Sequence, residues 1–357
     1  KSNDTQNASN DSPLLLKIID FAELTDDSPL SIQSGTSIKI RTGAFVPSGA
    51  DSVIPKENVK VDDNYVEIIS PINSGVGIVP RGSDIKSGTI IVKKNSIIRS
   101  QDLSLFRLLG IANVDVYSKP SVGLISVGSE LSDDFEEITS GKTLRSHDFM
   151  VKQLVSDLGA IPKDHGIVPD NVDLIKTKLS SVLNDSSVIL TIGGSSVGES
   201  DLVSQAVQEL GDPGMLIHGL QLQPGRVAGF GCISGKPIIL LPGLIQSTIN
   251  AFIFLVFPLI RNLLRLPVDR KDWSLYATLS DSVTFNSFTS FKHITWVRLK
   301  RIENKLIAVP VLGDSSMLSV FLQSHGYILT DSNVRMINTG DLVEVNQIKS
   351  IINTPFD

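Results

Sequence analysis

Cysteine is almost absent from this chain. The 357 residues contain one, Cys232, which excludes a disulfide framework and a cysteine-based zinc site and fits a reducing compartment. Histidine is sparse as well. His147, His165, His218, His293 and His325 form no HxxxH pair, so any metal is expected to be a carboxylate-bound Mg²⁺ rather than zinc. No basic stripe is visible and the net charge is −6. That argues against nucleic acid as the main partner and leaves small anionic ligands open. Long apolar runs are missing too. The most apolar, Ala251 to Ile260, is interrupted by Pro258 and falls short of the roughly 20 residues that span a bilayer. It reads as a buried helix ending near Arg261 and Arg265, with no membrane partner. No segment reads as a signal peptide, an internal repeat, a P-loop or a GxGxxG fingerprint. The expected location is cytoplasmic.

What is present is an ordinary globular composition, 41% apolar and 20% charged, at a length that suggests roughly two to three domains. The chain begins at Lys1 in a polar stretch, KSNDTQNASNDSP, that reads as a mobile loop, and the natural N-terminus is expected upstream. Residues 1–80 are rich in short β-like runs such as Ser37 to Ile40 and Tyr65 to Ile69, separated by turns, and read as a small β module. Residues 81–118 carry turns, a strand at Thr89 to Val92 and a short helix from Gln101 to Leu109 stopped by Gly110. They are expected to form a linker domain. Residues 119–267 change grammar. Strands at Val122 to Ser126, Val188 to Thr191 and Pro237 to Leu241 alternate with helices at His147 to Leu158 and Val172 to Leu183. That alternation predicts a parallel sheet covered by helices on both faces. Residues 268–357 return to strands, at Trp273 to Leu279, Ile294 to Leu299, Lys305 to Val309 and Asp341 to Asn346, and read as a second small β domain.

The most informative stretch is VILTIGGSSVGESD, Val188 to Asp201. A buried strand breaks into a glycine-serine loop and a helix follows at once. Glycines let a backbone approach an anion, and the N–H groups opening a helix point at it. Gly193 and Gly194 are expected to admit a phosphate or take positive φ. Asp201 is placed to hold a hard divalent cation beside that phosphate; the blander reading of the stretch is a tight strand-to-helix turn with a serine cap. Two further loops lie just past predicted strands, Ser126-Val127-Gly128-Ser129-Glu130 and Leu241-Pro242-Gly243, at the edge where open parallel sheets bind ligands. Gln223-Pro224-Gly225-Arg226 adds a glycine turn with one cation, and an arginine fork suits a tetrahedral oxyanion.

These residues resemble the molybdopterin molybdenumtransferase (MoeA/gephyrin) family of molybdenum cofactor biosynthesis. The matching stretches are TGAFVPSGADSVIPKE (Thr42 to Glu57), RGSDIKSG (Arg81 to Gly88), SVGSEL (Ser126 to Leu131), GIVPD (Gly166 to Asp170), GGSSVGESD (Gly193 to Asp201), PGR (Pro224 to Arg226) and LPG (Leu241 to Gly243). They occur in the family's order across nearly the whole chain. The resemblance implies a multidomain α/β plus β architecture. A central α/β domain of the molybdopterin-binding type is flanked by an N-terminal β module with its linker and by a C-terminal small β-barrel. It also implies a homodimer with the active site between subunits.

The implied reaction takes adenylylated molybdopterin and molybdate, uses Mg²⁺ and releases AMP; the adenylylating enzyme is a further implied partner. Catalytic roles fall on Thr42, Asp84, Glu130, Asp170 and Asp201, with Asp201 and Glu130 as metal ligands. Substrate contacts fall on Ser126, Gly128, Gly193, Gly194, Ser195, Ser196, Gly198, Glu199, Pro224, Gly225, Arg226, Pro242, Gly243 and Ser247. Several positions depart from the family pattern. GDEL is Gly128-Ser129-Glu130-Leu131 here, and DSN is Arg145-Ser146-His147. KPGKP is Gln223-Pro224-Gly225-Arg226-Val227, which loses both lysines, and LPGNP is Leu241-Pro242-Gly243-Leu244-Ile245. The expectation is a weakened molybdate pocket, unless another cation such as Arg145 has taken over. Two other readings keep the fold: a catalytically weakened paralogue serving as a pterin- or nucleotide-binding or scaffold protein, and a nucleotide pyrophosphatase on the same α/β domain.

Overall fold

The computed structural model describes residues 1–25, 30–194, 201–268, 274–285 and 290–347. Backbone contacts divide the chain into two compact units, Lys1–Lys93 and Lys94–Asp357.

The first unit is built on a four-stranded sheet of β1 (Leu14–Ala22), β2 (Thr36–Ile40), β3 (Lys60–Val61) and β4 (Tyr65–Ile68) in the order β2-β1-β4-β3. Only β1 and β2 run parallel. One face packs a small core of Ala8, Leu16 and Ile68 with Ile54, Val59 and Val66 around it. The polar N-terminal stretch is not the mobile loop expected. Ser2 and Thr5 are buried. Ser2 N–H donates to Asp51 Oδ1 at 2.7 Å, and Thr5 Oγ1 accepts from Ile72 N–H at 2.9 Å. Short hydroxyl side chains supply partners that the backbone of this small module would otherwise lack. The strand expected at Thr89 to Val92 is also absent. Thr89 closes a turn onto Lys86, and Ile90 is exposed. β-branched residues without a neighbouring strand have no ladder to join.

The second unit opens with α1 (Ser100–Leu108). Its centre is a six-stranded sheet of β5 (Ser121–Val127), β8 (Ile161–Val168), β9 (Val188–Ile192), β10 (Gly214–His218), β12 (Gly229–Ile233) and β13 (Lys236–Leu241), in the order β10-β12-β13-β9-β5-β8. β13, β9, β5 and β8 are mutually parallel. The alternation of the strands sends Val122, Leu124, Val188, Leu190, Ile239 and Leu241 to one face, under α2 (His147–Asp157) and α5 (Ile245–Ala251). Ile125, Val127, Ile189, Ile238 and Leu240 go to the other, under α3 (Val172–Val182) and α4 (Leu202–Leu210). At roughly 25 cal/mol per Å² of apolar surface removed from water, burial in these two layers stabilises the domain.

The expected parallel sheet therefore holds for four strands and needs correction at one edge. β12 runs antiparallel to both neighbours. The cause is local. Ser234 and Gly235 both take positive φ, 50° and 75°, which is the two-residue hairpin turn whose twist matches that of strands.

The apolar run Ala251 to Ile260 lies within a longer helix, residues 245–263. It is long and apolar enough to cross a membrane by composition, yet 67% of it is buried inside the fold. It is the core helix expected. Between α5 and α6 (Phe257–Leu263) the turn widens to a π-helix over Phe252–Val256. Pro258 has no N–H to return to the preceding turn, and the wider turn accommodates the mismatch.

A short parallel pair, β6 (Leu131–Ser132) and β7 (Thr143–Leu144), lies between β5 and α2. The C-terminal strands are β14 (Ser274–Leu279), β15 (Val283–Thr284), β16 (Lys292–Ile302), β17 (Lys305–Pro310), β18 (Gly326–Thr330), β19 (Met336–Ile337) and β20 (Leu342–Gln347), with α7 (Ser319–Gln323) before β18. Ladders β16-β17-β14-β20-β18 close through β16 and β18 into a five-stranded barrel. Ala277, Leu279, Val297, Leu299, Ala308 and Val345 fill it. Ile294, Trp296, Phe321 and Tyr327 instead join the sheet-and-helix core around α5. Trp273, expected to open the first barrel strand, lies outside the described residues.

Candidate active site at the carboxyl edge of the central sheet

Three of the four loops singled out in the sequence leave the carboxyl ends of β5, β9 and β13, which are neighbours. They abut. Gly193 N–H donates to Leu241 O at 3.0 Å, and a Cβ on Gly243 would stand 3.6 Å from Gly193 Cα, while Gly128 N–H ties the first loop to the end of β8 at Val168 O, 3.0 Å away. Gly193 and Gly194 take φ of +87° and +67°. A Cβ on Gly193 would stand 2.4 Å from Val127 O, and one on Gly194 would stand 2.6 Å from Val127 Cγ1. Both glycines are thus required by the neighbouring strand end itself. Ser195, Ser196, Gly198 and Glu199 lie outside the described residues.

In the first loop Ser126 is buried within β5 and Gly128 is buried beside it, while Ser129 and Glu130 are exposed. Glu130 folds its carboxylate back over Gly128, where an added Cβ would lie 2.6 Å from Oε2. Asp170, after β8, is locked to the same loop from both directions. Ser129 N–H donates to Asp170 Oδ2 at 2.7 Å, and Asp170 N–H donates to Ser129 Oγ at 2.9 Å. The structure thus brings Glu130 and Asp170 onto one loop pair.

Asp201 is the N-cap of α4. Its Oδ1 accepts from Ser204 N–H at 2.7 Å and its Oδ2 lies 2.9 Å from His218 Nε2. The side chain is 3% exposed and that of His218 is 40% exposed. Sequence reasoning missed this pair because strand β10 carries His218 back to the helix start. Among the described residues no three His, Cys, Asp or Glu side chains gather as a metal cage. Mg²⁺ asks for less, one or two carboxylates plus waters and substrate phosphates. Glu130 and Asp201 are the right kind of donor, and a cation held by Asp201 would compete with Ser204 N–H for Oδ1 and with His218 for Oδ2.

Pro242 is buried and Gly243 exposed, with Ser247 buried one turn into α5. His147, the first residue of α2, hydrogen-bonds the Gly243 backbone. Burial pushes its imidazole pKa down, against the opposing pull of that hydrogen bond and of Asp148. The fourth loop is carried by β11 (Leu222–Gln223), which pairs in parallel with β16 of the barrel. Asn250 Nδ2 supports it from α5 by donating to Pro224 O at 3.0 Å. Gly225 is buried at φ +131°, and Arg226 is exposed with no ion pair among the described residues. Arg145, the suggested replacement cation, is not available. Its side chain, 8% exposed, is bound by Asp133, Asp148 and Asp164.

Thr42 and Asp84 belong to the first unit. Thr42 follows β2 and lines a cleft of about 900 Å³ floored by Leu16, Ile38, Val66 and Ile68. Asp84 sits in an exposed turn and does not line it.

Fold and site together define an α/β domain with ligand loops at the carboxyl edge of its parallel strands, joined to a small barrel. A probable molybdopterin binding domain matches residues 123–262, the MoeA N-terminal region (domain I and II) matches 1–110, and the MoeA C-terminal region (domain IV) matches 277–348. A protein of Methanocaldococcus jannaschii described as a putative molybdopterin biosynthesis protein is 31% identical over 97% of this chain and 82% of its own. The molybdopterin molybdenumtransferase of Haemophilus influenzae is 26% identical over 89% of this chain and 79% of its own. A crystal structure of a molybdopterin biosynthesis MoeA protein from Pyrococcus horikoshii superposes with a TM-score of 0.80 at 28% identity, covering 97% of this chain and 84% of that one. The chain belongs to the MoeA family of molybdenum cofactor biosynthesis, whose relatives are named molybdopterin molybdenumtransferases.

Proposed function

We propose that the chain inserts molybdate into adenylylated molybdopterin and releases AMP. The observation that carries this reading is the abutment of the Gly128–Glu130, Gly193–Gly194 and Pro242–Gly243 loops at the carboxyl edge of adjacent parallel strands. Backbone N–H groups there, with the start of α4, suit the phosphates of an adenylate. Mg²⁺, which we assign to Glu130 and Asp201, would neutralise charge developing on the phosphoryl oxygens as the anhydride is cleaved. Asp170 holds the Glu130 loop through Ser129. Arg226, a planar fork without an ion-pair partner among the described residues, is the cation offered to an oxyanion in the fourth loop. One arginine replaces two compact lysine charges there, so molybdate binding is expected to be weak. Losing a charged contact costs about 1.5–3 kcal/mol, or roughly tenfold to hundredfold in affinity. A homodimer drawing on both subunits, with Thr42 and Asp84 among its site residues, and a cytoplasmic setting complete the proposal.

The test is AMP release from adenylylated molybdopterin, with and without Mg²⁺ and molybdate, in the native chain and in Glu130→Gln. The substitution is expected to lower turnover roughly 100-fold, the scale of one preorganised electrostatic contact. No AMP release in any condition would refute the activity, and native-like turnover in Glu130→Gln would refute the assignment of that residue.

A further inference from the structure

The excursion between β5 and α2, residues 128–146, carries Glu130. Its start is held by Ser129 on Asp170 and by Lys142 Nζ on Ser129 O at 2.6 Å. Its return is held by Arg145. Arg145 Nε meets Asp133 Oδ1 within the excursion at 2.8 Å. Nη1 and Nη2 take the two oxygens of Asp164 on β8 at 2.7 and 3.0 Å, and Nη1 lies 3.4 Å from Asp148 Oδ2 on α2. One guanidinium thus joins a loop, an edge strand and a helix. Asp148 is 1% exposed, and neither of its oxygens has a hydrogen-bond partner among the described residues. Among the described residues its charge is balanced by the ion pairs with Arg145 and Lys152, each at 3.4 Å. Burial opposes the charge on Arg145, yet the hydrogen bonds it donates to Asp164 and Asp133 raise its pKa, so it stays a cation at every working pH.

We propose that Arg145 is a positioning residue for Glu130, tying the excursion to β8 and α2 so that the carboxylate stays over Gly128. The backbone route is short. Thr143 N–H donates to Glu130 O at 2.8 Å and Arg145 N–H donates to Ser132 O at 3.0 Å. Whatever moves Arg145 moves the strand pair that carries Glu130. A lysine could not replace it, because a point charge on a flexible stem cannot hold Asp164 in both arms and reach Asp133 as well. The arginine in place of an aspartate is on this view a mechanical substitution rather than a new oxyanion ligand. The proposal rests on the reading of Glu130 as a site carboxylate.

The test combines hydrogen–deuterium exchange with AMP release in the native chain, Arg145→Ala, Arg145→Lys, Glu130→Gln and the double variant Arg145→Ala with Glu130→Gln. In Arg145→Ala the amides of residues 130–145 should exchange at least about tenfold faster while those of β13 do not change. Turnover should fall about 10- to 100-fold, the scale of a misplaced group, with KM moving far less. The same substitution should cost nothing further in Glu130→Gln, because the two residues act as a unit. Arg145→Lys should recover only part of the loss. Additive losses in the double variant, or unchanged exchange over 130–145, would overturn the proposal. Should Arg145→Ala fail to fold, Asp133→Ala removes only the acceptor inside the excursion and carries the same comparison. If Glu130→Gln turns over like the native chain, the assignment of Glu130 fails and the catalytic half of this proposal with it. The exchange comparison then still decides whether Arg145 holds the excursion.

Discussion

Replacing Gly193 by alanine separates two reasons for a glycine at the same place. A glycine that only lets a ligand approach should be replaceable in the ligand-free protein at the cost of backbone strain alone. Gly193 has φ +87°, and its missing Cβ would stand 2.4 Å from the Val127 carbonyl oxygen. That oxygen belongs to the end of β5 and cannot swing aside as a side chain would. Holding a non-glycine residue at such φ costs about 1–3 kcal/mol, and forcing extra volume into a packed site adds about 1–3 kcal/mol. Gly193→Ala should therefore lose roughly 2–6 kcal/mol with no ligand present. Gly235, in the hairpin turn beside the same sheet, has φ +75° and nothing within 4 Å of its missing Cβ. Gly235→Ala should show only the strain component. At roughly 2–4 °C per kcal/mol for a unit of this size, Gly193→Ala should melt about 2–12 °C below Gly235→Ala. Thermal unfolding of the two ligand-free variants, followed by circular dichroism, gives the comparison. Equal melting temperatures would refute the crowding argument and return the glycine to the ligand.

Trp296 is 2% exposed and meets the ring of Phe321 edge-on at 4.6 Å. Trp296→Ala should cost about 3–5 kcal/mol in guanidinium unfolding, and a loss below about 1 kcal/mol would show that the site collapses around the cavity. Asp164 gives a pH prediction. Burial would raise its pKa, but hydrogen bonds from Arg145, Lys152 and the Gly166 backbone drive it well below the carboxylate range. Its folded pKa lies below its unfolded value, so its stabilisation is complete above about pH 4 and fades as the pH falls further. Melting temperature measured from pH 6 to pH 2 should fall less steeply in Asp164→Asn than in the native chain, and parallel curves would contradict this.

The elements legible in the sequence were those whose burial pattern is local. Strands β5, β9 and β13 are short apolar runs with loops at their carboxyl ends. Helices α2 and α3 carry amphipathic periodicity, and α2 stops at Gly159 with φ +89°. The edge at which the site loops gather followed from strand direction alone. β10 and β12 were missed because Gly229, Gly231 and the short run Gly214–His218 offer little β pattern, although Ser234-Gly235 was a usable turn signal. The Arg145 network was beyond reach for another reason. Its carboxylates stand at positions 133, 148 and 164, and no spacing rule brings a residue before a helix to the middle of an edge strand. Asp201 and His218 meet only because β10 returns to the start of α4. The close approach of Val127 to Gly193 is likewise a property of neighbouring strand ends, invisible until the register is known.

The packing around α5 bears on how such a chain can be rearranged by recombination. The last helix of the α/β domain ends at Leu263 and the first barrel strand opens at Ser274. That interval looks like a natural place for a crossover. The core does not respect it: Ile245, Ile249 and Phe252 on one side share a cluster with Ile294, Trp296 and Tyr327 on the other. A chimera joined there inherits a helix shaped for a different barrel, with mismatched volumes on both sides. Exchange of the C-terminal segment would therefore have to preserve the fit of these side chains around α5.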